Sequence, residues 1–238
     1  MAAPPSHAMV LAAGLGRRMR PLTDAMPKPM VPVAGRALID RVLDRLQAAG
    51  VSHAVVNLHH RADQLQAHLA DRSRPPALAF SDERAELLDT GGGCAHALPL
   101  LGSGPFYAIN SDALWQDGED DALLRLADFW DPAQMDALLL LVRREAALAF
   151  DGPGDFLADE SSRLARRGDR ATAPYVFGGV QILAPALFEG VSSGPFSLNV
   201  VYDRALAGGR LFGRVHDGLW VHVSTPKAIA IAEAALKP

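Results

Sequence analysis

Short apolar runs alternate with amphipathic stretches along the first two thirds of the chain. Ala8-Met9-Val10-Leu11-Ala12 is an apolar run of strand length. Residues 38–49 place Leu38, Ile39, Val42, Leu43 and Leu46 at helical spacing, and Gly50 is a natural stop. Residues 54–58 read as a second strand, 62–70 as a second helix with Leu65 and Leu69 four apart, and 78–80 as a third strand. Thr90-Gly91-Gly92-Gly93 reads as a turn leading into a short helix over 94–100. A fourth strand over 106–110 runs into Ser111-Asp112, and a helix over 123–129 and a fifth strand over 137–142 follow. The rhythm then changes. Residues 151–172, rich in Gly, Asp, Arg and Ser, predict a β-excursion, and 177–183 another strand. Residues 211–215 and 220–223 predict a closing β-pair turned by Asp217-Gly218. A last helix spans 226–236, with Pro226 in its first turn.

This order predicts an α/β fold: a doubly wound, Rossmann-like, mixed but mostly parallel sheet with helices on both faces. The β-excursion is a small addition to its second half. No internal repeat and no low-complexity linker interrupts the chain, so one domain is expected over residues 1–238.

Composition narrows the class. The chain has 238 residues, of which 49% are hydrophobic and 21% charged, and its formal net charge is -4. That is globular, and it argues against a protein that coats nucleic acid or lies on a membrane surface. No apolar stretch nears the ~20 residues of a membrane span. The single cysteine, Cys94, excludes an internal disulfide framework and fits a reducing compartment. Residues 1–7 lack a basic and then apolar leader, and read as a short lead-in. The expected location is the cytoplasm. The sequence does not specify an oligomeric state.

The positive charge is local. Gly14, Gly16, Arg17, Arg18, Arg20 and Lys28 follow the first strand closely. In doubly wound sheets, ligands bind beyond the carboxyl ends of the strands. Glycines there let backbone N–H groups approach a ligand, and the cations suit a polyphosphate. The segment is not a Walker A loop, because no Gly-Lys-Ser/Thr follows the spacers. It is not the dinucleotide fingerprint either, because Met19 stands where the third glycine belongs.

The residues Leu11-Ala12-Ala13-Gly14-Leu15-Gly16-Arg17-Arg18, then Pro21-Leu22-Thr23 and Pro27-Lys28-Pro29, resemble the signature of the sugar-1-phosphate nucleotidylyltransferases. Gly154-Asp155-Phe156 resembles the members that act on N-acetylmuramate 1-phosphate with UTP. No hexapeptide repeat follows, which resembles the compact members of the family. The resemblance implies transfer of a nucleotidyl group from a nucleoside triphosphate, UTP favoured, to a sugar 1-phosphate, with no nucleic-acid or membrane partner. Other hexose 1-phosphates, such as mannose 1-phosphate with GTP, and a silent nucleotide-binding module remain as alternatives. The nucleotide-binding half is expected at about 8–115 and the sugar- and metal-binding half at about 116–238.

Residue roles follow from the same resemblance. Arg18, Lys28 and Asp112 are implied as catalytic. Leu11, Ala12, Ala13, Gly14, Gly16, Glu83, Thr90, Gly91 and Gly92 are implied to face the nucleotide. Asn110, Asp155, Gly179, Ser197 and Asn199 are implied to face the sugar; Ser197 and Asn199 also read as helix caps and Asp155 as a loop aspartate. Mg²⁺ is the implied cofactor, with Mn²⁺ or Co²⁺ as alternatives, held by Asp112. His222 in Trp220-Val221-His222-Val223-Ser224-Thr225 stands where relatives carry an aspartate. It is either a second metal ligand, a hydrogen-bonding partner of a phosphate, or a packed strand residue. The acidic residues 117–121 read as a solvated loop, and His59 and His60 as surface residues.

Overall fold

Apolar residues without a turn former make β1 (His7–Leu11), with Ala8, Met9 and Val10 buried. The computed structural model describes residues 4–236; residues 1–3 of the expected lead-in lie outside the described residues, and His7 already belongs to β1. The proline- and glycine-rich stretch that follows forms two 3-10 turns (Arg17–Met19 and Lys28–Met30), a short helix α1 (Leu22–Ala25) and a small ribbon of β2 (Pro32–Val33) and β3 (Arg36–Ala37). Regular alternation then begins: α2 (Leu38–Ala48), β4 (His53–Leu58), α3 (Ala62–Ala70), β5 (Ala77–Asp82), α4 (Asp89–Leu101) and β6 (Phe106–Asn110). Beyond these come β7 (Ala113–Trp115), α5 (Ala122–Phe129), β8 (Ala137–Arg143), β9 (Phe156–Ala158) and β10 (Leu164–Arg166). The chain closes with β11 (Tyr175–Leu183), α6 (Asn199–Ala207), β12 (Leu211–Val215), β13 (Trp220–His222) and α7 (Pro226–Ala235).

β5, β4, β1 and β6 pair in parallel in that order. β11 runs antiparallel to β6 and β8, and β12 lies parallel to β8. The expected excursion is the antiparallel pair β9–β10, joined to β11 where Phe156 meets Tyr175. Alternation along β1 sends Ala8 and Val10 into the core under α2, α3 and α5, and Met9 into the core under α4 and α6. A third apolar cluster ties Met19, Val31 and Val33 of the early loop to Leu114, Val221 and Ala232. It fixes the loop after β1 against β7, β13 and α7.

Two expectations are corrected. The glycine run is not a turn ahead of a helix; α4 starts at Asp89 and contains Gly91, Gly92 and Gly93, all buried. Glycine disfavours helix by about 1 kcal/mol, but packing overrides this here. A Cβ on Gly92 would stand 2.5 Å from the Gly194 carbonyl oxygen. The second correction concerns the predicted closing hairpin. β12 and β13 do not pair with each other: β12 adds to the main sheet beside β8, and β13 pairs with β7. The intervening segment crosses to β7, where Gln116 N–H donates to Leu219 O at 2.9 Å and Arg125 pairs with Asp217.

Candidate active site

The chain runs from β1 outward to β4 and β5, then returns to β6 on the other side of β1. That reversal opens a crevice at the carboxyl ends of β1 and β6. A cavity of about 530 Å³ occupies it. Leu11, Ala12, Ala13, Gly14 and Gly16 line it from the β1 side, and Asn110 and Asp112 from the β6 side. A second cavity, of about 370 Å³, lies beside it under β11 and β13. Arg18, Thr90, Asn110 and Asp112 border both.

The two glycines of the loop have different duties. Gly14 is exposed and no protein atom would come within 4 Å of a Cβ there, so the space is open to a ligand. Gly16 has φ +59°, and a Cβ would stand 2.8 Å from the Thr23 methyl group. Thr23 Oγ1 donates to the Gly16 carbonyl at 2.9 Å and locks the turn. That turn presents Arg18 to solvent, with no hydrogen bond or ion pair among the described residues. Lys28, held between Pro27 and Pro29, is largely buried and pairs through Nζ with the Asp112 carboxylate. The catalytic trio of the sequence reading therefore meets at the border of the two cavities.

The floor of the first cavity rests on a residue that sequence reading missed. Asn57, buried in β4, accepts from Ala12 N–H at 2.6 Å and Ala13 N–H at 3.2 Å. Its amide donates to Glu83 Oε1 at 2.7 Å, and Glu83 Oε2 accepts from Leu88 N–H at 3.2 Å. Glu83 is buried and does not line the cavity; it orients Asn57 instead. The one signal available was a polar Asn inside the apolar run 54–58. Gly91 and Gly92 do not line the cavity either, and both donate their N–H groups to the Phe196 carbonyl, at 2.8 and 3.0 Å. Thr90 does border it, and its Oγ1 accepts from Leu198 N–H at 3.0 Å.

The second cavity gathers the residues implied for the sugar. Gly178-Gly179 form a bulge in β11, where the register against β8 shifts. Gly179 adopts φ +78°, and a Cβ there would stand 3.2 Å from Asn110 Nδ2. Asp155 lines the wall, and its Oδ2 accepts from Phe177 N–H at 2.8 Å. Ser197 Oγ accepts from the backbone and side-chain nitrogens of Asn199 at the start of α6. Asn199 Oδ1 accepts from Arg166, a lining residue absent from the sequence expectations because β10 carries no motif.

β13 pairs with β7 so that His222 stands opposite Ala113, the neighbour of Asp112. Its ring stacks on Trp220 at 5.9 Å and tilts against Phe150 at 5.6 Å. Burial holds its pKa below the ordinary value; Arg18 and Lys28 add to this and Asp112 opposes it. Among the described residues no cluster of three or more His, Cys, Asp or Glu side chains is placed to hold a metal ion. Asp112 is the one carboxylate bordering both cavities. This donor set fits a hard cation that uses one or two carboxylates and takes its other ligands from phosphate and water.

Other polar residues serve the scaffold. Asp117 accepts from Trp115 Nε1 and Ala122 N–H and pairs with Arg45, and Asp121 caps α5 through Leu123 and Leu124 N–H. His59 and His60 are half-buried and not simply surface: each ring lies within hydrogen-bonding distance of a backbone carbonyl, Glu83 at 2.7 Å and Thr23 at 3.2 Å. Among the described residues no helix is long and apolar enough to cross a membrane.

A glycine-lined crevice bordered by Arg18 and by Lys28 paired with Asp112, and continuous there with a second cavity, fits a nucleotidyltransferase. The chain belongs to the nucleotidyl transferase family, whose model matches residues 7–150. It is 45% identical over 239 residues to the N-acetylmuramate alpha-1-phosphate uridylyltransferase of Caulobacter vibrioides, covering 99% of each chain. It is 38% identical over 229 residues to the enzyme of the same name from Neisseria meningitidis serogroup B, covering 95% of this chain and 96% of the relative. Its fold is that of HddC from Yersinia pseudotuberculosis, solved with GMP-PN, at a TM-score of 0.78 and 21% identity over 97% of this chain and 99% of that one. Nucleotidyltransferases of this family work with a divalent metal.

Proposed function

We propose that the chain joins UTP to N-acetylmuramate 1-phosphate and releases pyrophosphate. The observation that carries the reading is the common border of the two cavities, at Arg18, Asn110 and Asp112 with Lys28 behind it. A nucleotide in the first cavity and a sugar phosphate in the second would meet there through their phosphates. The two uridylyltransferases at 45% and 38% identity support this substrate pair.

In this reading, an anionic oxygen of the sugar phosphate attacks the α-phosphorus in line, so no general base is needed. The protein supplies position and charge. Arg18 faces the triphosphate and offsets charge on the departing pyrophosphate. Lys28 exchanges the Asp112 carboxylate for a phosphate oxygen. Ala12 and Ala13 are held at the end of β1 by Asn57 and support the base, and Gly14 lets it approach. Asn110, Asp155 and the Gly179 bulge face the sugar. Asp112 would hold Mg²⁺, which would supply positive charge to offset that of the phosphates. His222 has a ring N–H to offer a phosphate oxygen. The two halves share one sheet and act as one domain. The supply of nucleoside triphosphate supports a cytoplasmic setting.

The test is pyrophosphate release with Mg²⁺, across four nucleoside triphosphates and a panel of sugar 1-phosphates. The expected result is that UTP with N-acetylmuramate 1-phosphate exceeds every other pair. A different best pair would move the substrate and keep the chemistry. No release with any pair, with Mn²⁺ as well as Mg²⁺, would leave a nucleotide-binding module.

A further inference from the structure

We infer that Arg166 selects an acidic sugar by binding a carboxylate carried on the ring, away from the phosphate. The inference rests on the substrate reading above. N-acetylmuramate differs from N-acetylglucosamine by a lactyl ether that ends in a carboxylate, so its 1-phosphate brings two anions into the sugar cavity. The phosphate belongs at the border, beside Arg18 and Lys28. The second anion needs a second cation. Of the residues lining the 370 Å³ cavity, Arg18 and Arg166 are the two that carry a permanent positive charge. Arg18 also lines the nucleotide cavity; Arg166 lines the sugar cavity alone.

Arg166 is also held ready. Its guanidinium lies 5.2 Å over the Phe156 ring and 5.9 Å from the Tyr202 ring. Nε and Nη2 donate to Asp203 Oδ1 at 3.1 and 2.7 Å, and Nη1 donates to Asn199 Oδ1 at 2.8 Å. Nη2 also reaches the Asn199 carbonyl at 3.4 Å. Of the five guanidinium N–H donors, one on Nη1 has no protein partner. The Asp203 side chain is 64% exposed, so water screens its charge and the pair orients the guanidinium more than it neutralises it. Planar, rigidly oriented donors of this kind are suited to carboxylates.

The test compares N-acetylmuramate 1-phosphate with N-acetylglucosamine 1-phosphate, the same sugar without the lactyl carboxylate, each with UTP. Where turnover is poor, affinity is read as a competitive Ki. Arg166→Gln is expected to raise KM for the acidic sugar about 10- to 100-fold, the range for losing a hydrogen bond to a charged group. The KM for UTP and the constants for the neutral sugar should change less than twofold. A purely structural clamp between β10 and α6 would weaken both sugars equally, and that result overturns the inference. If Arg166→Gln is too unstable to assay, Arg166→Lys keeps charge without the fork and should show the same selective loss in smaller measure. Asp203→Asn loosens the clamp but keeps the cation, and should preserve the preference. A wild-type enzyme that prefers the acidic sugar, with variants that keep its ratio, overturns the role of Arg166 alone. A wild-type enzyme that takes only neutral sugars overturns both readings.

Discussion

Gly14 and Gly92 stand within the two glycine-bearing segments of the nucleotide side, and a methyl group on each should have opposite consequences. Nothing of the protein lies within 4 Å of a Cβ at Gly14. Gly14→Ala is therefore expected to leave the melting temperature unchanged and to raise KM for the triphosphate several-fold. At Gly92 the Cβ would meet the Gly194 carbonyl oxygen at 2.5 Å. Helix propensity alone would favour Ala there by about 1 kcal/mol, whereas overpacking costs about 1–3 kcal/mol. A lower urea midpoint for Gly92→Ala is the expected sign; a higher one would mean the Gly194 loop yields freely. Lys28 and Asp112 differ from both glycines in that they pair with each other at the border of the cavities, where neither side chain is fully buried. Lys28→Ala and Asp112→Ala should each lose at least about 100-fold in kcat, the scale of removing one charge-stabilising group, while remaining folded by circular dichroism. Near-normal rates for both would displace the site.

Among the elements, β4 does more than fill the sheet. Asn57 ties the end of β1 to the segment between β5 and α4 through Ala12, Ala13 and Glu83. Asn57→Ala would leave two buried N–H groups and one carboxylate oxygen without a partner. Each unsatisfied group costs about 1–3 kcal/mol, so chemical denaturation should show a loss of about 3 kcal/mol or more. A loss of turnover should accompany it, because Ala12 and Ala13 line the first cavity, where the nucleotide is proposed to bind. A change below about 1 kcal/mol would mean that water replaces the amide. The ribbon of β7 and β13 is the other such device: it carries Ala113, next to Asp112, and His222 in register across from it.

For the whole molecule, the two layers of core on either side of the sheet leave Cys94 with no exposed surface. Burial pushes its thiol pKa up, with Glu83 adding to the effect. The thiol is then protonated and shielded at pH 8, where a free cysteine is substantially ionised. A thiol-reactive chromophore should label nothing in the native protein, and its reaction in rising urea should track global unfolding. Rapid labelling in native buffer would show that α4 opens locally. The same packing sets α4 against α6, and these helices carry Thr90 to the border of both cavities and Asn199 and Tyr202 to the second.

The sequence by itself determined the elements that depend on local pattern. β6 and α3 span the residues their apolar spacing predicts, and β1 and α2 differ by a residue at their ends. It also determined the loop chemistry, because Gly14, Arg18 and Lys28 lie within nineteen consecutive residues and leave one strand end together. Tertiary structure decided what depends on partners distant in the chain. Gly92 is helical because Gly194 packs on it, and β13 leaves β12 because β7 offers an open edge. Glu83 bonds Asn57 and does not line the cavity, through a contact spanning 26 positions. Arg166 reaches the second cavity because β10 folds back beside α6, 33 positions further along. Periodicity records which face of an element is buried; it carries no record of what the polar residues on the other face will meet.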